Sequence, residues 1–265
     1  MIIRVSWGAN IAPTIWSATH GAQGSPFVFV VACDDGVMTI DETASLHAMM
    51  SSPIQPSGQR SAVLAVECLA QHPSVILAGA RNGNIISFDV RQRERQFQSN
   101  VESIKHPSAV SKIKQLNDHV IVVAGLNSTL CNYDLRFVQQ RPREKAWPDW
   151  HCSYTKGPES AGDEVSNPIL LYPEHRNSAH VEHGFDVDVE AGILAAAQDD
   201  PYRTISIFSL KSGQMLRSLH VKDTQTLSSC DMADVKALKF VQERGSGYMK
   251  SLWVAKGTRI IRFAW

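Results

Sequence analysis

The sequence contains no apolar run long enough to cross a lipid bilayer. Its longest run, Phe27–Cys33, is far shorter than the roughly 20 apolar residues that a transmembrane helix needs. The first residues also lack the apolar core and the cleavage-site pattern of a secretory signal peptide. These absences argue against membrane insertion and secretion, and we expect an intracellular protein.

Cysteine is scarce and shows no pairing pattern. The chain of 265 residues has 5 cysteines, which are widely spaced and include no Cys-x-x-Cys pair. An odd number without such pairs argues against a disulfide framework and against a zinc ribbon. The pattern favours a reducing compartment.

The chain also has no excess of positive or negative charge. The 26 basic residues balance the 26 acidic residues, and the formal net charge at pH 7 is +0. A surface that follows nucleic-acid phosphates depends on clustered Lys and Arg. We therefore expect neither a nucleic-acid partner nor a membrane partner.

What the sequence does contain is a series of short apolar runs, rich in Val, Ile and Phe and separated by turn residues. Five pairs of runs have the form strand, tight turn, strand, which indicates β-hairpins. In each pair the first run is wholly apolar, as in a buried strand, and the second alternates apolar and polar residues. The predicted hairpins lie at 27–41, 75–90, 120–135, 193–210 and 251–263.

The hairpins repeat along the chain. Equivalent residues at their ends are 48, 45, 75 and 55 residues apart: Asp41, Asp89, Asp134, Ser209 and Ala264. Repeats of about 40–45 residues with four strands each are typical of WD-type β-propellers. Four leading strands, predicted to line the channel, complete the repeats at 63–68, 110–116, 184–189 and 235–240.

The interval of 75 residues equals one repeat of this class plus about 30 extra residues. The segment 144–180 is rich in Pro, Gly, Ser, Glu and His and lacks a strand period. We predict that it is a surface loop insertion between repeats. The chain is then a single all-β propeller domain that spans residues 1–265.

Two consecutive repeats carry a specific motif. Ser87–Arg91 and Asn132–Arg136 resemble the end of a WD40 repeat, with Phe88 and Tyr133 in place of the usual Trp. His106 stands where the repeat has the histidine of its Gly-His dipeptide. The hydrophobic-Asp-x-Arg endings are similar to the WDxR motif of DCAF-type substrate receptors of cullin-4 RING ubiquitin ligases. The resemblance implies that an adaptor-binding face contains Asp89, Arg91, Asp134 and Arg136.

The resemblance covers most of residues 62–265, with a weaker repeat at 14–46. Five repeats are recognisable, where this family usually has seven. Three explanations fit: an N-terminally incomplete chain, repeats contributed from elsewhere, or divergent blades hidden in 1–11 and 144–180. We favour the first, because Met1–Trp7 has the pattern of a strand from a preceding repeat.

Some reactive side chains fall where structural roles are expected. The acidic pairs Asp34-Asp35 and Asp199-Asp200 lie in hairpin turns, where carboxylates satisfy backbone donors. The dipeptide His151-Cys152 does not suggest a catalytic dyad, because adjacent side chains of an extended chain point in opposite directions. The basic run Arg91–Arg95 fits either a patch for phosphate or an acidic partner, or a solvated edge.

A histidine-rich stretch is the densest group of candidate metal ligands. Its members are Glu174, His175, His180, Glu182 and His183. The stretch lies at the end of the predicted loop and lacks the spacing of a helical zinc motif. We interpret it as a solvated loop, and we predict no catalytic, cofactor-binding or metal site.

The resemblance and the absence of a catalytic motif together predict a non-catalytic protein-interaction module. We expect a WD40 propeller that acts as substrate receptor of a cullin-4 RING ligase in the nucleus, the cytoplasm or both. Its partners would be the ligase adaptor, the cullin-4 complex and a substrate protein of unknown identity. One alternative is a WD40 scaffold in another multiprotein complex. Another is a propeller enzyme that uses channel-facing acids or the histidines at 175–183.

Overall fold

Every described segment of the chain is built from β-strands. A computed structural model describes residues 13–51, 61–91, 103–142, 164–220, 234–242 and 250–264. Within these ranges the chain forms 21 strands and no helix, and so none that is long and apolar enough for a membrane span. The strand predicted at 1–7 and the stretch 144–163 of the predicted loop lie outside the described residues.

The strands form five consecutive antiparallel sheets, which are the blades of a β-propeller. The first blade contains β1 (Ile15–His20), β2 (Phe29–Cys33), β3 (Gly36–Ile40) and β4 (Leu46–Ser51). The second contains β5 (Val63–Cys68), β6 (Val75–Ala80), β7 (Asn84–Asp89) and β8 (Ser103–Lys105). The third contains β9 (Val110–Gln115), β10 (Val120–Gly125), β11 (Leu130–Asp134) and β14 (Leu170–Leu171).

The fourth and fifth blades follow the same plan. The fourth contains β15 (Phe185–Asp188), β16 (Ile193–Ala197), β17 (Ile205–Ser209) and β18 (Met215–Leu219). The described part of the fifth contains β19 (Val235–Gln242), β20 (Lys250–Lys256) and β21 (Arg259–Phe263). A separate two-stranded sheet pairs β12 (Gln140–Pro142) with β13 (Glu164–Ser166). The five predicted hairpins, each formed by the second and third strands of a blade, are confirmed.

The second strand of an inner blade is apolar on both sides because it is packed between two other blades. In β10, Ile121 and Val123 belong to a core shared with the second blade, whereas Val122 and Ala124 belong to a core shared with the fourth. Successive side chains of a strand point to opposite faces. The same alternation divides β16 between the third and fifth blades. The wholly apolar runs in the sequence therefore mark strands that contribute to two cores.

The first strands of the blades lie innermost. β1, β5, β9, β15 and β19 contact one another in this order, as strands around a propeller axis do. Ion pairs connect neighbouring inner strands: Lys114 Nζ lies 3.2 Å from Glu67 Oε2, and Lys239 Nζ lies 3.2 Å from Asp186 Oδ1. Burial raises the pKa of Glu67, and the nearby Lys114 opposes that shift. Charge pairing thus accompanies apolar packing between blades.

The predicted surface loop differs from the structure in its described part, residues 164–180. Two strands lie in this part, and β14 is the outer strand of the third blade, paired with β11. Tyr172 is fully buried, and its hydroxyl donates to Asn132 Oδ1 at 3.1 Å. The strands are two and three residues long, which is too short to show a period in the sequence.

The strand pairing defines two faces of the propeller. Val120 pairs with Asp134, so the end of β11 lies beside the β9–β10 turn. Asp89 occupies the same place in the second blade, opposite Val75. We call this the arginine face, because Arg91 and Arg136 follow these aspartates. The opposite face, where β9, β15 and β19 begin, is called the histidine face after His106, His180 and His183.

A buried polar network secures the histidine end of the third blade. His106 bonds to the Tyr133 hydroxyl through Nδ1 at 3.1 Å and to Thr129 Oγ1 through Nε2 at 2.8 Å. Ser108 Oγ lies 2.6 Å from the same threonine oxygen. Gly125 leaves room for this network, because a Cβ there would lie 2.5 Å from His106 Nε2. The tyrosine that stands in place of Trp thus provides a hydroxyl to the buried histidine.

Replacing His106 by Ala is expected to destabilise the protein by about 2–4 kcal/mol, because it removes a hydrogen-bond partner of the buried Tyr133 and Thr129 hydroxyls and opens a cavity. The free energy of unfolding in urea measures the effect. The control is His119→Ala, which removes an exposed imidazole from a turn on the arginine face. A loss for His106→Ala no larger than that of the control would contradict a structural role for the network.

Candidate functional site

The third strands of the second and third blades each end in an aspartate that holds the arginine two residues later. Asp89 Oδ1 accepts the backbone N–H of Arg91 at 2.9 Å and its Nε at 2.9 Å, and Nη2 donates to the other carboxylate oxygen. Asp134 accepts the backbone N–H of Arg136 at 3.0 Å, Nε at 3.0 Å and Nη2 at 2.7 Å. The aspartate and the arginine of each motif thus pair with each other, and the geometry is the same in two adjacent blades.

These ion pairs are asymmetric in exposure. The Arg91 and Arg136 side chains are 73% and 53% exposed, whereas those of Asp89 and Asp134 are 18% and 12% exposed. The hydrogen bonds from Arg136 lower the pKa of Asp134 to about 2, and Arg91 lowers the pKa of Asp89. Both pairs are therefore charged at neutral pH, with the guanidinium groups outermost.

The turn itself needs an acceptor but not an arginine. In the first blade, Asp41 Oδ1 accepts the backbone N–H of Thr43 at 2.9 Å. In the fourth, Ser209 Oγ accepts the backbone N–H of Lys211 at 3.2 Å. Asp89 and Asp134 therefore have a role in the turn that does not require the arginines. The arginines are additional to that turn, because other residues occupy their position in these two blades.

An exposed aromatic ring lies beside one of the arginines. Phe137 is 67% exposed, and Cζ of Arg136 lies 5.4 Å from the centroid of its ring. An arginine at this distance from a ring is attracted by the ring's quadrupole. Phe137 was not predicted from the sequence, although a large apolar side chain directly after Asp-x-Arg in a polar turn could have indicated it.

The four predicted site residues lie on the same face of adjacent blades, at equivalent positions. Each Asp-x-Arg pair is closed on itself, and among the described residues neither pair bonds to the other. The rest of the basic run, Gln92–Arg95, lies outside the described residues, as do His151 and Cys152. The structure therefore presents two separate guanidinium groups rather than one joined cluster.

The acidic pairs occupy turns, as predicted. Asp34 accepts the indole N–H of Trp16 at 2.8 Å and the backbone N–H of Thr14 at 3.3 Å. Asp200 Oδ1 accepts the backbone N–H of Tyr202 at 2.9 Å and that of Thr204 at 3.1 Å. Asp200 thus satisfies backbone donors of its own turn, whereas Asp34 accepts from Thr14 and Trp16 at the neighbouring strand β1.

The histidine stretch is not the solvated loop that the sequence predicted. His175 is 2% exposed and His183 is 6% exposed. His175 Nδ1 lies 3.3 Å from Gln198 Nε2, and its ring packs edge-on against Phe208 at 6.4 Å between centroids. It thereby occupies the place in the fourth blade that His106 occupies in the third. The prediction was wrong here because polar composition does not reveal which side chains blades enclose.

His180 and His183 form a second group on the histidine face, between the fourth and fifth blades. Their rings are stacked, with centroids 4.6 Å apart and planes 11° apart. His180 Nε2 lies 3.6 Å from Asp199 Oδ1, and its Nδ1 lies 3.9 Å from Asp234 Oδ2. Arg203 pairs with both carboxylates, at 2.5 Å for Asp199 and 3.2 Å for Asp234. Burial is the largest cause that lowers the pKa of His183 to about 4, so this ring is neutral at physiological pH.

The fold, but not the sequence, has relatives of known structure. No model of a protein family matches the chain, and no curated protein sequence matches it. A chain in the crystal structure of the mitotic checkpoint complex is 15% identical with a TM-score of 0.55, over 94% of this chain and 64% of its own length. The Cps50 (Swd1) β-propeller domain of Myceliophteria thermophila is 14% identical with a TM-score of 0.56, over 93% and 64%.

A computationally designed protein, Ika8, is 17% identical with a TM-score of 0.50, over 89% of this chain and 55% of its own length. The chain thus spans between 55% and 64% of the length of these three structures. At these identities the similarity shows the fold alone, which is that of a β-propeller, as predicted.

Asp134→Asn is expected to lower the melting temperature at neutral pH, because it keeps an acceptor for the turn but removes the charge that pairs with Arg136. The pKa of Asp134 is lowered from 3.8 to about 2. The charged pair therefore stabilises the native state above about pH 4, and this contribution is lost as the pH falls towards 2.

Thermal melts of both proteins across this pH range measure the effect. The difference between them should shrink on acidification, while the exposed Asp118→Asn on the same face should show a smaller effect throughout. A difference between wild type and Asp134→Asn that is the same at neutral pH and near pH 3 would contradict the charge pairing.

Proposed function

We propose that this chain is a WD40 protein-interaction module and that it acts as a substrate receptor of a cullin-4 RING ubiquitin ligase. In this proposal Arg91 and Arg136 bind the ligase adaptor, and Asp89 and Asp134 position them. The observation that carries the proposal is the repeated, outward-facing Asp-x-Arg pair on one face of two adjacent blades. The resemblance of the same residues to the WDxR motif supplies the identity of the partner.

The arginines are held in one orientation and still have donors to offer. The bonds to Asp89 use Nε and one N–H of Nη2, so three of the five guanidinium donors of Arg91 remain without a hydrogen bond among the described residues. The same holds for Arg136. A guanidinium fixed by an ion pair loses less side-chain freedom when a partner binds, because its rotamer is already selected.

The chemistry of the arginine face fits a protein surface that carries carboxylate or carbonyl groups. A planar guanidinium binds such oxygens through two parallel hydrogen bonds. Exposed Phe137 beside Arg136 adds apolar area, and aromatic and Arg side chains are enriched in interfaces between proteins. Isolated surface ion pairs contribute little to folding stability, so stability is a weak reason for two such arginines.

Protein partners are also in keeping with the structural relatives, one of which is part of a complex. WD40 propellers of this kind are typically non-catalytic, and positioning rather than chemistry would be the role of this chain. In the proposed assembly the arginine face meets the adaptor. The opposite face stays available for the substrate protein.

Arg91→Ala, Arg136→Ala and the double variant are expected to lose adaptor binding. Truncation of an arginine at the centre of an interface costs about 2 kcal/mol or more, whereas truncation at the rim costs little. Each single variant should therefore weaken binding roughly 30-fold or more, by the conversion of about 1.4 kcal/mol to each factor of ten. Pull-down of purified adaptor, followed by titration, measures the loss.

The matched control is Arg81→Ala, which removes an exposed arginine from the histidine face. Arg136→Lys adds a second comparison, because lysine keeps the charge but lacks the planar fork. Thermal melts of all variants separate lost contacts from lost folding. If the wild-type protein does not bind the adaptor, or if all arginine variants bind as well as it does, the chain is a WD40 scaffold of another complex.

A further inference from the structure

We propose that His180, His183 and Asp234 form a site for a divalent transition-metal ion, Zn²⁺ in the first instance. The site lies on the histidine face, where the segment before β15 meets the beginning of β19. It is on the side of the propeller opposite Arg91 and Arg136, so it does not depend on the proposed adaptor contact.

The geometry brings three metal-binding groups of the right kind together. One ligand atom from each of His180, His183 and Asp234 lies within 4.8 Å of the other two. Imidazole nitrogen and carboxylate oxygen are ordinary ligands of Zn²⁺. Three protein ligands with a fourth position left for water or another molecule is a common arrangement of zinc in proteins.

His183 supplies the observation that points to a ligand rather than to a structural histidine. Its side chain is 6% exposed, yet its Nδ1 has no hydrogen-bond partner among the described residues. A buried polar atom without a partner costs roughly 1–3 kcal/mol and is rare in folded proteins. A metal ion bound to Nδ1 would satisfy this atom. The other buried histidine of the stretch, His175, has the structural contacts to Gln198 and Phe208 described above.

The charges around the site favour a cation. Asp199 and Asp234 are two negative groups, and Arg203 is one positive group that contacts both. Together these three side chains carry a net charge of −1. A bound divalent cation would change the net charge from −1 to +1, whereas a bound anion would make it more negative.

Arg203 leaves one oxygen of Asp234 available. Its Nε lies 3.2 Å from Asp234 Oδ1, whereas Oδ2 of the same carboxylate faces His180 Nδ1 at 3.9 Å. Groups that hold the far side of a ligand fix its orientation and are a regular part of metal sites. Arg203 and Asp199 thus act as positioning residues in the proposed site.

Metal binding requires a small movement of the rings. Ligand atoms around tetrahedral zinc lie about 3.3 Å apart, from bond lengths of about 2.0–2.1 Å. The stacked rings of His180 and His183 must tilt towards each other to reach that separation. The side chain of His180 is 38% exposed, so it can move without disturbing the core.

The experiment uses the chain without a histidine tag, dialysed against a chelator and then titrated with ZnCl₂ by calorimetry. We expect one equivalent of Zn²⁺ to bind with micromolar or stronger affinity. Co²⁺ should give the visible absorption of a four-coordinate site. Saturating Zn²⁺ should raise the melting temperature by about 5 °C, because a ligand that binds only the native state stabilises it.

His180→Gln, His183→Gln and Asp234→Asn should each weaken Zn²⁺ binding ~10-fold or more and abolish the cobalt spectrum. The control is His119→Gln, which removes an exposed histidine from the arginine face and should bind like the wild type. If buried His183→Gln fails to fold, the part-exposed His180 and Asp234 variants still test the site. Absence of saturable binding to the wild type, or binding that these two variants leave unchanged, would overturn the proposal.

Discussion

The packing of one blade against the next is the interaction on which the rest of this structure depends. Four of the five buried clusters among the described residues are shared between two blades, and the fifth lies within the first blade. Ala65 and Leu77 of the second blade lie with Ile113 and Val123 of the third in one buried cluster. A four-stranded sheet has two apolar sides and cannot bury both alone, so neighbouring blades must cover them. This requirement explains the wholly apolar second strands and the conversion of small repeats into one continuous body.

Because neighbouring blades cover each other's sides, the turns at the two faces present the polar side chains that could bind partners or ligands. On the arginine face the turns share one hydrogen bond, in which a side-chain oxygen at the end of the third strand accepts the backbone N–H two residues later. Two of the four described examples add an arginine to it. On the histidine face, His106 and His175 are enclosed by the fold, whereas His180 and His183 extend beyond their blade towards the next. The same residue type therefore has two different roles a few residues apart.

Much of the fold could be predicted from the sequence, because apolar runs and turn residues repeat with the period of the blades. The hairpin at 120–135 illustrates this, since a run of five apolar residues before a turn fits a strand buried on both sides. The short strand β14 could not be predicted, because two residues carry no period. The solvated interpretation of His183 failed for a related reason. Its burial depends on the fifth blade, which lies about 50 residues further along the chain.

The residues of the candidate sites also differ in whether the sequence could predict them. Asp89, Arg91, Asp134 and Arg136 are visible in the sequence because a motif recurs at equivalent positions. Phe137 has no counterpart in the second blade, where Gln92 follows the motif, so repetition did not reveal it. The group of His180, His183 and Asp234 joins segments that are distant in the chain. Only the arrangement of two blades brings its members together.

The shared core between the second and third blades also acts as a spacer. Arg91 and Arg136 belong to different blades, so the distance and angle between their guanidinium groups are set by how those blades pack. Tyr133, fully buried in that core, lies one residue before Asp134. A substitution at such a position changes the geometry that a partner meets, although it touches no partner. If the arginine face binds the proposed adaptor, mutations that impair this binding need not lie on that face, because buried hydrophobic side chains set the geometry of the two arginines.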